Sequence, residues 1–61
     1  MKNYIGKPCK LHININDADL FFSAKEVLNV TEEHITFRDK FNKVYTFQCK
    51  NVIEIIEIIS V

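Results

Sequence analysis

The sequence predicts an all-β domain of five antiparallel strands, and three stretches carry that prediction. From Cys9 to Asn16, apolar and polar residues alternate without a break. A second pair of alternating runs flanks the polar stretch at residues 38–43. The third stretch, residues 52–61, holds five isoleucines, two valines, two glutamates and one serine. Period-two alternation sends successive side chains to opposite faces of a strand. β-branched residues suit a pleated surface better than a helix.

Residues 1–8 read as a leading segment. Tyr4 and Ile5 can tuck beneath the domain, Gly6 allows a bend, and Pro8 is confined to a strand start or edge. In the first strand Cys9, Leu11, Ile13 and Ile15 face one way, and Lys10, His12, Asn14 and Asn16 face the other. Asn16, Asp17, Ala18 and Asp19 make the first turn, since Asn and Asp side chains close backbone turns. Residues 20–30 read two ways. As a strand, Leu20, Phe22, Ala24, Leu28 and Val30 share a face, and a bulge near Lys25 and Glu26 absorbs the misplaced Glu26. As a helix, Leu20, Phe21, Ala24, Val27 and Leu28 share a face behind an Asp17 or Asp19 N-cap. Every neighbouring segment is strand, so a long, bent second strand is the expectation.

Thr31, Glu32 and Glu33 form the next turn, and the third strand follows with Ile35 and Phe37 inward and His34, Thr36 and Arg38 outward. The fourth strand, residues 44–49, puts Tyr45, Phe47 and Cys49 on one face. Directly opposite residues share a face, so the hairpin loop must be odd in length. The loop Phe41-Asn42-Lys43 pairs Phe37 with Phe47 and Ile35 with Cys49, and gives Asn42 or Lys43 the left-handed conformation. Lys50 and Asn51 break the pattern for about one turn. The last strand then carries Ile53, Ile55, Glu57 and Ile59 on one face and Val52, Glu54, Ile56 and Ile58 on the other.

A chain of 61 residues makes a single domain, residues 1–61, with a thin core, and such domains often gain stability by association. Apolar residues make up 48% of the chain and Gly and Pro number one each, which favours folding over disorder. Eight basic and eight acidic residues leave no net charge to draw the chain to nucleic acid or membrane. No apolar run reaches the ~20 residues of a membrane helix, and residues 1–8 lack a signal-peptide core, so a cytoplasmic location is expected. Cys9 and Cys49 then read as reduced thiols used as small apolar residues rather than as a disulfide or a zinc site. Ile, Lys and Asn supply 22 of the residues, an AT-rich codon usage that hints at a bacterial, phage or plasmid source.

Residues 22–58 resemble the small SH3-like β-barrel family, which includes the Sm-like folds. There a long bent second strand leads to a tight turn, a hairpin, a single 3-10 turn and a short last strand. These correspond to residues 20–30, 31–33, 35–49, 50–52 and 53–58. Sm-like RNA binders carry a Gly in the second strand and an Arg-Gly or Lys-His pair near the fourth, where this chain has Ala24 and Phe47-Gln48. Peptide-binding SH3 domains use an exposed Trp, and this chain has none. The resemblance implies a five-stranded SH3-like barrel with a 3-10 turn before its last strand, and a habit of binding partners.

No catalytic arrangement stands out: Gly6 is the only glycine, no serine sits in a nucleophile elbow, and Glu32 and Glu33 read as solvated carboxylates. No enzyme activity, cofactor or metal is expected. The last strand is apolar on both faces, yet a domain this small has one interior. Ile53, Ile55, Ile56, Ile58 and Ile59 are therefore the expected contact with a protein partner, by self-association into a homodimer or by strand addition. Lys10, His12, Arg38, Lys40, Phe41 and Lys43 form an alternative basic patch for nucleic acid. A small phage or plasmid inhibitor is a further alternative.

Overall fold

The computed structural model describes residues 1–59. Its strands are β1 (Cys9–Ile15), β2 (Ala18–Val30), β3 (His34–Asp39), β4 (Val44–Gln48) and β5 (Val52–Glu57). Single 3-10 turns occupy Lys2–Tyr4 and Cys49–Asn51. All strand pairs are antiparallel, in one sheet ordered β4-β3-β2-β1-β5. Among the described residues β4 and β5 do not pair, so the sheet is not closed. The radius of gyration is 10.7 Å, close to the ~10.5 Å of a compact chain this long.

One face of the sheet carries the core: Cys9, Leu11 and Ile13 from β1, Ala24, Val27 and Val30 from β2, Ile35 and Phe37 from β3. The alternation expected of β1 and β3 is the one observed. Phe22, Tyr45 and Phe47 close over Phe37, with ring centroids 5.4, 5.6 and 5.9 Å from its own. Tyr4, Val52 and Ile55 pack on the margins of the cluster.

β2 is a strand along its whole length, and the bulge expected at Lys25 and Glu26 is present: its register against β3 shifts between Ala24 and Glu26. A second shift follows between Val27 and Asn29. Each bulge inserts one residue, so inward positions fall at 24, 27 and 30 instead of every second residue. Val27 is therefore buried where Leu28 was expected, and Leu20, also expected inward, is exposed. β1 stops opposite Ala24, and beyond that point the leading segment takes its place. The Gly6 N–H donates to the Val27 carbonyl (2.8 Å) and the Val27 N–H to the Lys7 carbonyl (3.2 Å). Gly6 makes this approach at φ +82°, a conformation that costs glycine little.

Turn chemistry sets the remaining registers. Ile15 lies opposite Ala18, so the expected four-residue turn is the two-residue Asn16–Asp17, both at positive φ as a type I′ hairpin requires. The β3–β4 loop is odd in length, as expected, but lies one position earlier: Phe37 pairs with Tyr45, and Ile35 with Phe47. Asp39 causes the offset. Its Oδ1 accepts the Phe41 and Lys43 N–H groups at 2.8 and 2.9 Å, and its backbone N–H donates to the Lys43 carbonyl. Asp39 thus opens the turn, and Asn42 takes the left-handed position at φ 65°. Cys49 accordingly leaves β4 for the 3-10 turn, where its N–H donates to the Glu33 carbonyl (2.8 Å).

Candidate functional site

β5 is an edge strand, and its two faces do not alternate as simple parity demands. Its register against β1 shifts between His12 and Ile13, so Ile13 meets Val52 while His12 meets Glu54. Ile53 is the extra residue. Val52 and Ile55 turn to the core, whereas Ile53 and Ile56 stand 61% and 51% exposed and Ile59 77%. Of the five isoleucines expected to meet a partner, Ile53, Ile56 and Ile59 lie on the surface. Ile55 does not, because the bulge turns it onto the core beside Leu11. Ile58 is half-buried, its N–H donating to the Pro8 carbonyl at 2.8 Å.

On the outer face, β1 lies between β2 and β5. The register sets Ser23, Lys10 and Ile56 in one row and Phe21, His12 and Glu54 in the next. These side chains line a groove of about 360 Å³. Phe21 is 73% exposed, yet its ring is not loose. It stacks on the His12 imidazole at 4.5 Å, His12 Nε2 donates to Asp19 Oδ1 at 2.8 Å, and Asn14 Nδ2 donates to the same oxygen at 3.0 Å. A chain of polar contacts therefore props an exposed aromatic.

Those two donors, Asn14 first and His12 second, hold the Asp19 carboxyl below its ordinary range. A depressed acid favours the folded state above its unfolded pKa, and that contribution goes as pH falls through the folded value. Asp19→Asn should accordingly flatten the decline of melting temperature below about pH 4. A decline identical to that of the unaltered chain would count against the contact.

The six residues expected to form a basic patch fall into two groups separated by β2. Lys10 and His12 lie in the outer groove, beside the acidic Asp19 and Glu54. Arg38 is engaged by Glu26 at 3.5 Å. Lys40 lies over the 77% exposed Phe41 ring at 5.3 Å, and Lys43 over Tyr45 at 5.2 Å, so the hairpin tip presents two cations, each on its own aromatic ring. Phe21, Glu54, Asp19 and Asn14 were not singled out from sequence. Their outward parity beside His12 was the available signal.

Both thiols are free. Cys9 is fully buried, and burial chiefly, with Glu57 adding, pushes its pKa up, while Lys7 opposes the shift. Cys49 is half-buried, with Sγ 3.7 Å from the Thr31 carbonyl. Glu32, Glu33 and His34 are exposed around the β2–β3 turn. Among the described residues no cluster of His, Cys, Asp and Glu is arranged to hold a metal, and no helix is long and apolar enough to cross a membrane. No protein-family model, curated protein or solved structure matches this chain.

Proposed function

We propose that this protein is a non-enzymatic binding or regulatory module that associates with a second copy of itself through the exposed isoleucines of β5. One observation carries the reading. After Val52 and Ile55 have gone to the core, the edge strand still presents Ile53 and Ile56, both more than half exposed. Apolar side chains on an unpaired edge are what monomeric proteins usually cover or break with charge. The element order, a long bulged β2, a tight hairpin, one 3-10 turn and a short β5, supports reading the sheet as a small SH3-like barrel.

The expected result is a dimer in sedimentation at micromolar concentration. Ile56→Asp should weaken it at least tenfold with an unchanged circular dichroism spectrum, since the position is on the surface. A wild-type chain that sediments as a monomer at 100 μM overturns the reading.

The hairpin tip supports a second reading, single-stranded nucleic acid held by Lys40 and Lys43 with a base stacked on Phe41. That reading requires salt-sensitive binding of a generic oligonucleotide, lost on Lys40→Glu and Lys43→Glu.

A further inference from the structure

The geometry points to a particular mode for this self-association: two copies pack outer face to outer face, Phe21 and Ile56 each meeting its own counterpart and Lys10 pairing with Glu54 of the other copy. The inference rests on the dimer proposed above and specifies its interface.

Three observations converge on the outer face of β2, β1 and β5. Phe21 is a large apolar ring held in the solvent by the His12–Asp19–Asn14 relay. An exposed aromatic whose conformation is already fixed loses little entropy when it is covered, which is the property of a binding anchor. Ile56 stands on the opposite side of the same groove. On either side of the line joining them stand one cation, Lys10, and one anion, Glu54, with His12 between Phe21 and Glu54. The ion pairs of the described residues are Lys7–Glu57, His12–Asp19 and Arg38–Glu26, so Lys10 and Glu54 pair with neither each other nor a third group.

A two-fold interface brings the same patch together with itself, so a patch suits it only when it is self-complementary. The strand lattice shows that this one is. Adjacent strands lie about 4.8 Å apart, and neighbours on one face of a strand about 6.8 Å apart. Lys10 and Glu54 are therefore diagonal neighbours, one strand and one step removed. The two-fold axis that exchanges them lies in the interface and crosses β1 obliquely. Ile56 and Phe21 both fall within about 2 Å of that axis on the same lattice. Each then faces its own copy while the charges cross-pair on either side. The strands of the two sheets would cross at roughly 70°, nearer the orthogonal class of sheet packing than the aligned one. The chain's zero net charge sets no long-range repulsion against the approach.

The test is charge reversal with complementation between chains. In a Lys10→Glu homodimer both cross-contacts would set carboxylate against carboxylate, and in a Glu54→Lys homodimer both would set ammonium against ammonium. In an equimolar mixture, the dimer of one variant with the other has one cross-contact between the two altered side chains and one between the two native ones. Both are then opposite in sign. Each variant alone should dimerise at least tenfold more weakly than the unaltered chain by sedimentation, and the mixture should recover to within about threefold. Intrachain effects cannot produce that recovery. Both positions are exposed, so circular dichroism should show each variant folded. Phe21→Ser, also at the surface, should weaken the dimer at least tenfold on its own. A wild-type monomer overturns this inference together with the reading beneath it. A wild-type dimer that tolerates either reversal or Phe21→Ser, or a mixture no tighter than its components, overturns the face-to-face mode alone and leaves self-association through β5 standing.

Discussion

Phe37→Ala is expected to remove most of the chain's folding stability at 25 °C. Phe37 is the largest fully buried side chain and makes ring contacts with Phe22, Tyr45 and Phe47. Truncating a buried phenylalanine costs about 3–5 kcal/mol, from lost transfer energy and the cavity left behind. A chain of this length has roughly 3–9 kcal/mol in total. A site in the middle of a thin core has few neighbours able to collapse into the gap, which favours the upper part of the range. Urea unfolding followed by circular dichroism, at one fixed protein concentration, reads the effect. The matched control is Phe41→Ala at the hairpin tip, where a change within about 0.5 kcal/mol is expected. Midpoints for the two variants that differ by less than 0.5 M would mean that Phe37 is not the centre of the core.

Val27→Asp should be as damaging, and Leu28→Asp far less so. The pair separates a β2 bulged between Ala24 and Glu26 from a regular one. With no bulge between Ala24 and Glu26, strict alternation from Phe22 and Ala24 would bury Leu28 and expose Val27. With both bulges Val27 is fully buried and bridges to the leading segment through two backbone hydrogen bonds, while Leu28 is only half-buried. A carboxylate at position 27 would be buried without a partner, a cost of several kcal/mol that the acid reduces only by staying protonated. The same comparison by thermal melts at pH 7 should give a folded Leu28→Asp and an unfolded Val27→Asp. The reverse order would restore the regular strand.

Where backbone and side-chain parity act alone, the sequence was a sufficient guide. The faces of β1 and β3 and the odd length of the hairpin loop follow from alternation, and of the two residues open to the left-handed position, Asn42 and Lys43, Asn42 takes it. Where one residue is inserted, parity carries no further. The first bulge of β2 showed itself as a misplaced Glu26, because a charge on an apolar face needs a reason. The second shows only once the first is placed: alternation from Val27 would then turn Asn29 inward, and the second insertion buries Val30 instead. The helical spacing of Ala24, Val27 and Leu28 that competed for this segment has the same origin, for two bulges convert a period of two into a period of three. The hairpin register turned on the Asp39 carboxylate, whose two backbone hydrogen bonds fix which residue opens the turn. The site was legible in part. An excess of apolar residues in β5 was visible, but which isoleucines remain outside depends on a bulge within β5, at Ile53, that residue types do not mark.

The hydrogen bond from the Ile58 N–H to the Pro8 carbonyl has a mechanical meaning. It sets the start of β1 and the end of β5 side by side, and the next rung inward is Cys9 against Glu57. Force applied at residues 8 and 58 therefore pulls across the rungs, not along the strands. Each rung bears the load in turn, like a zip opened from its end, and each contributes only ~1 kcal/mol net. β5 is thus the strand that tension removes first, and its departure would strip the cover that Val52 and Ile55 give to Leu11 and Ile13.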